Sequence, residues 1–413
     1  MRILHINKFL YRRGGAEGYM FDVAERQRAQ GHDVEFFGMS HPENLQMRFE
    51  RHFPAQVEFE PPPVTIIGKV EGAGRLLWST SAGRGVETVV GAFRPEVVHV
   101  HNIYHQLSPS ILRRIRAAGI PAVMTLHDYK LACPTYRFLD HGSLCEACIP
   151  KRFWNAPIKR CNGGSIGASA LNAVELGLHT ALRAYGPIDR FACPSRFLES
   201  KMREAGVFPS RLRWLPNFVD VDAVAPQTSP GAGVVYAGRL SDEKGVDVLI
   251  EAVARRPSLR LTIAGEGPSR RALERLSQDL GVADRVTFLG RLPRESLHEL
   301  LRASAVAAVP SRWYENMPLA VLEAFASGLP VVATNLGGLP ELIETGEDGL
   351  SVPPNDPEAL AVALESLAGN PQRSTAMGVR ARRKVEREFA PELHLERLHS
   401  LYAEAARVAH GRG

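Results

Sequence analysis

The chain has 413 residues, 45% apolar and 23% charged. That is enough apolar material for two globular domains with buried cores and excludes a largely disordered chain. No apolar run reaches the roughly 18–20 residues that span a bilayer, and MRILHINKFL lacks the apolar core and small-residue cleavage site of a secretory leader. The expected location is the cytoplasm, or the inner face of the membrane as a peripheral protein. The net charge of +5 is uneven: residues 1–217 carry 28 Lys and Arg against 19 Asp and Glu, whereas 218–413 carry 22 against 26. An anionic partner is therefore expected on the N-terminal half. The basic residues are dispersed and form no nucleic-acid-binding motif, so a membrane face or a phosphate-bearing acceptor fits better.

In chain order, RILHIN reads as a first strand, AEGYMFDVAERQRAQG as a helix and DVEFFGM as a second strand. The strands VVHVHN, PAVMTLHD and DRFACPS follow, then the helix SRFLESKMREAG. Apolar runs without alternation, separated by helices, predict a parallel sheet covered on both faces. Gly14 and Gly15, after the first strand, either let backbone approach a ligand or make a tight turn. His99 and His101 alternate along VVHVHN and read as structural hydrogen-bonding groups. A lone histidine such as His127, at the end of its strand, is also more often structural than catalytic. Cys193 lies inside a strand and reads as core.

Four cysteines interrupt this pattern in a stretch of about residues 131–165. Cys133, Cys145, Cys148 and Cys161 form C-x(11)-C-x(2)-C-x(12)-C, a spacing that suits a tetrahedral thiolate site, most simply structural zinc, with iron–sulfur as the lesser alternative. Four reduced thiols in an irregular loop is the plain alternative. The same stretch carries KRFWNAPIKR, whose Lys151, Arg152, Phe153, Trp154, Lys159 and Arg160 suit a membrane interface or an anionic acceptor, or else a solvated loop around one packed Trp.

After NFVDVDAVAPQTSPGAG, a linker-like run, the strand–helix alternation restarts and continues through GVVYAGRL, LRLTIAGEG, RVTFLGRL, VAAVPSR and PVVATNLGG. This predicts a second doubly wound sheet. Three helical segments close the chain, the last starting at Pro391. In GRLSDEKG, Arg239 and Lys244 flank a turn that opens a helix, which suits a diphosphate or simply two surface cations on a turn. In ENMPLAVLEAFASG, Glu315 and Glu323 bracket a strand-to-helix turn, with Glu323 expected two turns into the helix. One carboxylate could accept from sugar hydroxyls and the other from ribose, while the N–H groups of Asn316, Met317 and Leu319 reach phosphate oxygens. Pro318 has no N–H to offer. Glu323 stands in the apolar run PLAVLEAFA, where an unpaired carboxylate would be costly.

GRLSDEKG, the E-x(7)-E pair and GLPVVATNLGGLPE together resemble the retaining glycosyltransferases of family 4. The resemblance covers essentially the whole chain. It implies an α/β GT-B fold: two facing Rossmann-like domains with an interdomain cleft and a C-terminal helix returning to the first. The expected boundaries are 1–217 for an acceptor domain, 218–390 for a nucleotide-sugar domain and 391–413 for the returning helix. By the same resemblance Arg239 and Lys244 would hold the donor diphosphate, Glu315 the sugar and Glu323 the ribose. Gly14 and Gly15 would lie near the diphosphate and acceptor, and His127 against the donor sugar. The chain has Asn-Met-Pro where the family often has Gly-rich residues between the two glutamates.

The implied reaction takes a sugar from a UDP- or GDP-sugar to a glycan, lipid-linked or other hydroxyl acceptor, in polysaccharide or glycoconjugate synthesis. Charge builds on the leaving diphosphate, so fixed cations and N–H dipoles are the main catalytic device. No catalytic metal is expected, and Asp220-Val221-Asp222 is read as turn residues. Alternatives are a sugar-nucleotide epimerase of the same architecture and, remotely, a zinc-containing nucleic-acid binder.

Overall fold

The computed structural model describes residues 1–56, 74 and 76–411. The chain divides into two compact units. The first comprises Met1–Asp140, Cys145–Leu215 and Leu395–Gly413; the second comprises Pro216–His394 with His141–Leu144.

The first unit is built on a six-stranded sheet of β1 (Arg2–Ile6), β2 (Asp33–Phe37), β3 (Val97–Val100), β4 (Ala122–Thr125), β5 (Arg190–Cys193) and β6 (Leu212–Trp214), in the order β2-β1-β3-β4-β5-β6. Every pairing is parallel. The sequences VVHV and AVMT are buried at every position, as expected when helices cover both faces. The edge strand β6 is not evident in the sequence, because three residues with a central Arg213 give no pattern. Ser165 and Ser195 cap the helices Ile166–Ala181 and Arg196–Glu204, each side chain accepting from the N–H three residues on.

The final helix, Pro391–His410, joins the first unit from Leu395 onward. Glu404 accepts from Arg190 at 2.9 Å and Arg213 at 3.1 Å, tying that helix to β5 and to the edge strand β6. Tyr402 is buried and reaches into the middle of the sheet, as described below.

The second unit repeats the architecture with β7 (Val234–Ala237), β8 (Leu261–Ala264), β9 (Val286–Gly290), β10 (Val306–Val309), β11 (Val331–Thr334) and β12 (Gly349–Val352). The order is β9-β8-β7-β10-β11-β12, again wholly parallel. Apolar groups cover both faces of this sheet. Strand β12, in EDGLSV, also escapes sequence reading, because glycine and polar residues dilute its pattern. Asp356 and Asn370 cap the helices Pro357–Ala368 and Pro371–Glu388, each with proline in its first turn.

In each sheet the strand order reverses once. The reversal falls between β1 and β3 in the first unit and between β7 and β10 in the second. At such a switch point the loops leaving the carboxyl ends diverge and open a crevice, which is where ligands bind doubly wound sheets.

Candidate active site

In the second unit the residues singled out from the sequence gather at the switch point. Arg239 follows β7, and Lys244 ends a short 3-10 turn, Asp242–Lys244, before the helix Val246–Arg255. Gly245 joins the turn to the helix with φ 67°, and a Cβ there would stand 2.1 Å from the Pro310 carbonyl oxygen. Only glycine lets the β7 loop close against the β10 loop. From that second loop comes Glu315, buried. Its Oε1 accepts from Lys244 Nζ at 2.7 Å and from Ser311 Oγ at 2.5 Å. Burial would raise the Glu315 carboxyl, but the Lys244 charge and these two hydrogen bonds outweigh it and hold the group below its ordinary value.

The remaining loop contacts fix this pair. Thr334 Oγ1, at the end of β11, donates to Ser311 O at 2.8 Å. Gly338 N–H donates to Glu315 O at 2.6 Å. Gly337, at φ 62°, lies where a Cβ would meet the Glu315 backbone at 2.3 Å, so the NLGG run is shaped to the Glu315 loop. Tyr236 OH donates to Arg239 O at 2.8 Å, which fixes the Arg239 loop, and its own ionisation is opposed by burial and then by the Glu315 charge. The Lys244 ammonium stands 5.1 Å from the Trp313 ring centroid. Arg239 is exposed, and its guanidinium has no hydrogen-bond or ion-pair partner among the described residues.

Two expectations change. Lys244 is not a free cation, because it is already paired with Glu315, the residue assigned a separate role in holding sugar. Glu323 lies one turn into the helix Leu319–Ala326 rather than two, since proline at 318 delays the helix start, and it is half-buried. Leu319 opens that helix without a side-chain cap, so its first N–H groups have no intrahelical acceptor. Met317 is buried and receives Asn217 through both its carbonyl, at 3.1 Å, and its sulfur. Asn316 is half-buried between Glu315 and Met317. Asp220 accepts from Ala223 N–H at 3.2 Å, the bond of a turn.

In the first unit, Gly14 and Gly15 are exposed at the start of the helix Gly15–Ala29, after β1. Gly14 has extended backbone, and a Cβ there would make only an ordinary contact with Glu17 Oε2 at 3.5 Å, so nothing local requires glycine there. His127 follows β4 and terminates a chain of hydrogen-bonded imidazoles. Its Nε2 lies 3.0 Å from His101 Nδ1, His101 Nε2 lies 3.0 Å from His5 Nδ1, and His5 Nε2 lies 2.8 Å from Gln27 Oε1. A side branch runs from Gln27 Nε2 to Tyr402 OH at 3.2 Å, to His99 Nδ1 at 2.8 Å, and from His99 Nε2 to Thr125 Oγ1 at 2.7 Å. His5, His99 and His101 are fully buried.

Burial lowers the His5 pKa to about 4, with a weaker opposing contribution from the Gln27 bond, and lowers His127 to about 3. His101 is driven far down by burial and then by its three histidine neighbours. The three imidazoles of the relay, His5, His101 and His127, are thus held where charge is disfavoured. One ring nitrogen from each of His5, His99 and His101 lies within 4.8 Å of the other two, close enough to suggest a metal, and the three rings offer six nitrogens in all. All six are taken up by the hydrogen bonds just given, which makes the trio a relay.

The tautomers follow from its far end. The Gln27 amide donates to Tyr402, so its carbonyl faces His5 and requires a proton on His5 Nε2. His5 Nδ1 then accepts from His101 Nε2–H, and His101 Nδ1 accepts from His127 Nε2–H. His127 is left with a bare Nδ1, an acceptor.

Sequence reasoning missed most of this relay. It also missed a buried ionic group beside it, where Lys130 Nζ donates to Glu175 at 2.7 Å and to Pro134 O at 3.0 Å. His105 lies 3.5 Å from Glu175. Asp128 is raised by burial, against the charges of Lys8 and Lys130. The visible signal was Lys130 itself, a lysine in the otherwise apolar run YKLAC; its partner, 45 residues away, was not.

Residues 13–223 match the family model described as Glycosyltransferase Family 4, and residues 228–384 match Glycosyl transferases group 1. The chain is 35% identical over 244 residues to a GDP-mannose-dependent alpha-(1-6)-phosphatidylinositol monomannoside mannosyltransferase of Mycolicibacterium smegmatis, a match covering 54% of this chain and 63% of that protein. Sucrose-phosphate synthase from Thermosynechococcus elongatus superposes with a TM-score of 0.73 at 22% identity over 98% of both chains. HepE of Anabaena, in complex with UDP and glucose, does so with a TM-score of 0.68 at 20% identity, over 98% of this chain and 99% of that one. These structures establish the GT-B fold, and the matches lend nothing to the epimerase or nucleic-acid alternatives. With more than half of its length matched by one family model, the chain belongs to glycosyltransferase family 4.

Proposed function

We propose that this protein transfers a sugar, with retention at C1, from a nucleotide diphosphate donor to a hydroxyl of a glycan or lipid-linked acceptor in cell-surface polysaccharide or glycoconjugate synthesis. The observation that carries the reading is the Lys244–Glu315 pair at the switch point of the second sheet, with the unpaired Arg239 on the adjoining loop. As the C1–O bond lengthens, charge accumulates on the diphosphate. Arg239 and the remaining N–H bonds of Lys244 neutralise it from positions fixed beforehand, so little reorganisation is needed at the moment of reaction. The N–H groups of Leu319 and its neighbours add the positive end of a helix. Both bonds to Glu315 converge on Oε1, so Oε2 is the oxygen that would orient sugar hydroxyls. Glu323 takes the ribose.

Burial holds His127 below the ordinary histidine range, so it is read as a neutral hydrogen-bonding group rather than a cationic acid. Its bare Nδ1 accepts from a hydroxyl of the donor sugar. Deprotonation of the acceptor falls to a diphosphate oxygen, and no protein nucleophile is required.

The identity of the base stays between UDP and GDP: HepE is named in complex with UDP and the mycobacterial relative as GDP-mannose-dependent. Peripheral membrane contact is supported by the insertion. Trp154 and Ile158 are exposed beside Lys151, Arg152 and Arg160, and Val174 and Leu178 stand exposed on the helix that packs against them. Among the described residues no helix is long and apolar enough to cross a membrane.

A screen of UDP-, GDP- and ADP-sugars tests the reading, first by thermal stabilisation and then by NMR of the product anomer. Retention of the donor's anomeric configuration is expected with one base class. Inversion, or no stabilisation by any nucleotide sugar, would overturn it.

A further inference from the structure

We propose that Cys133, Cys145, Cys148 and Cys161 bind one zinc ion, a structural site that staples the insertion following His127. The insertion has little else to hold it. Its regular structure amounts to the two-residue strands Leu139–Asp140 and Ser143–Leu144 and the five-residue helix Asn155–Lys159. Its apolar group is small: Cys148, Phe153 and Ala156 pack with Ala173 and Leu176 of the next helix, and Cys161 lies against them. Five of its non-glycine residues, Tyr136, Phe138, His141, Lys151 and Arg160, have positive φ, each a conformation that surrounding structure must impose. A loop-rich segment with so small a core is the kind that natural proteins hold with disulfides or a metal.

All four thiols are free of disulfides, and all four belong to the first unit. They come from three separate stretches of the insertion, yet Cys148 lies within electrostatic reach of the other three, and Cys161 within reach of Cys133 and Cys145. Burial, and then the negative charges around them, hold the Cys148 and Cys161 thiols above their ordinary value, with the backbone N–H groups of Ala156 and Cys161 opposing this only weakly. The Lys159 ammonium feels both Cys145 and Cys161 while bonded to Asp140 at 2.8 Å.

Backbone N–H bonds and a nearby cation are the outer shell a tetrathiolate centre of net charge −2 calls for. Among the described residues no three of these sulfurs fall within the 4.8 Å that groups the histidines. An ion with Zn–S bonds of about 2.3 Å would draw them closer. Binding converts four thiols to thiolates and releases their four protons to water, so affinity rises with pH. Cys193 is fully buried in β5 and takes no part.

The test is metal analysis of the full-length protein, purified without chelator, alongside Cys148→Ser and Cys193→Ala. We expect about one zinc per chain in the parent and in Cys193→Ala, released by a mercurial thiol reagent, and a loss of at least tenfold in Cys148→Ser. Should Cys148→Ser fail to fold, the parent itself decides: cobalt(II) exchanged into it should give the strong visible absorption of a tetrahedral cobalt thiolate. Substoichiometric zinc that zinc loading does not raise would overturn the site. So would cobalt spectra without thiolate bands, or iron with sulfide in place of zinc.

Discussion

The two sheets share one topology and place their singled-out residues at the same kind of switch point, yet the chemistry at the two positions is opposite. At the carboxyl ends of β1, β3 and β4 a row of histidines is buried, mutually hydrogen-bonded and neutral. At the carboxyl ends of β7 and β10 a carboxylate just as deeply buried stays ionised, because Lys244 and Ser311 are already on it. Burial by itself pushes every one of these groups toward its neutral form. What separates the two regions is whether an opposite charge was built in. The first region is a hydrogen-bonding surface whose polarity is set at a distance; the second is a fixed electrostatic device.

The sharpest way to break this comparison is to remove one member of the ion pair. Lys244→Ala should lower kcat by about 10²–10³ if the lysine stabilises the leaving diphosphate. It also strands a buried carboxylate, which should destabilise the fold by about 3–5 kcal/mol. The two effects separate in the double variant Lys244→Met/Glu315→Gln, which removes both charges: its stability should return most of the way to the parent while transfer stays abolished. Urea denaturation and a transfer assay read the two quantities. Recovery of activity along with stability would show that the pair serves folding alone.

Acidification should break the other region. The folded pKa values of His5 and His127, about 4 and about 3, lie below the unfolded value near 6.5. Between those limits the unfolded chain binds more protons than the native one, so stability falls as pH drops from about 6.5 toward 4 and is flat above that range. Each unit of difference corresponds to about 1.4 kcal/mol, so the two together amount to several kcal/mol. Urea midpoints at pH 7.5, 6 and 5 should decline in that order. A constant midpoint would mean that the histidines are not held neutral. The Lys244–Glu315 pair adds a further decline only below about pH 4.5, because a carboxyl lowered by its partner keeps its stabilising contribution above the unfolded value and loses it as pH falls through the folded one.

A smaller effect is expected at His127. His127→Asn keeps a polar side chain but cannot sit in the relay, and should reduce kcat by about 10-fold to 100-fold, the worth of one well-placed hydrogen bond in a dry site. Steady-state kinetics on the best donor would show it, and an unchanged kcat would remove His127 from the machinery.

The Lys244–Glu315 region was largely legible in the sequence because its parts are local. GRLSDEKG and ENMPLAVLEAF each lie within a few residues of a strand end, so the strand pattern places them. What the sequence withheld was the bond joining them, since Lys244 and Glu315 are 71 residues apart. The relay was hidden for the same reason, more severely: Gln27 lies on the first helix, His5, His101 and His127 come from three strands, and Tyr402 arrives from the last helix of the chain. None of the five has a neighbour in sequence that betrays its partner. His99 and His101 were read as structural; the structure makes His101 the link on which the polarity of His127 depends. The short strands β6 and β12 were lost because three or four residues containing arginine, glycine or serine carry too little periodicity to register.

Gln27 gives the finest test of the difference between the regions, because it acts on His127 only through two intervening rings. Gln27→Met leaves the His5 Nε2–H and the Tyr402 hydroxyl without their partner and should cost about 1–3 kcal/mol of stability. That loss alone would not distinguish a relay from a packed polar core. The distinguishing readout is kinetic: once nothing requires a proton on His5 Nε2, both tautomers of His127 are populated, and kcat should fall several-fold with KM little changed. Gln27→Glu restores an acceptor, and activity should return at neutral and higher pH. Its carboxylate also favours protonated His5, which must then donate from Nδ1. That turns His101 and His127 over in sequence and converts His127 Nδ1 from acceptor to donor. The kcat profile of Gln27→Glu should therefore acquire an acid limb that the parent lacks. A glutamate variant whose profile overlays the parent's at every pH would leave Gln27 a packing residue and His127 free to set its own tautomer.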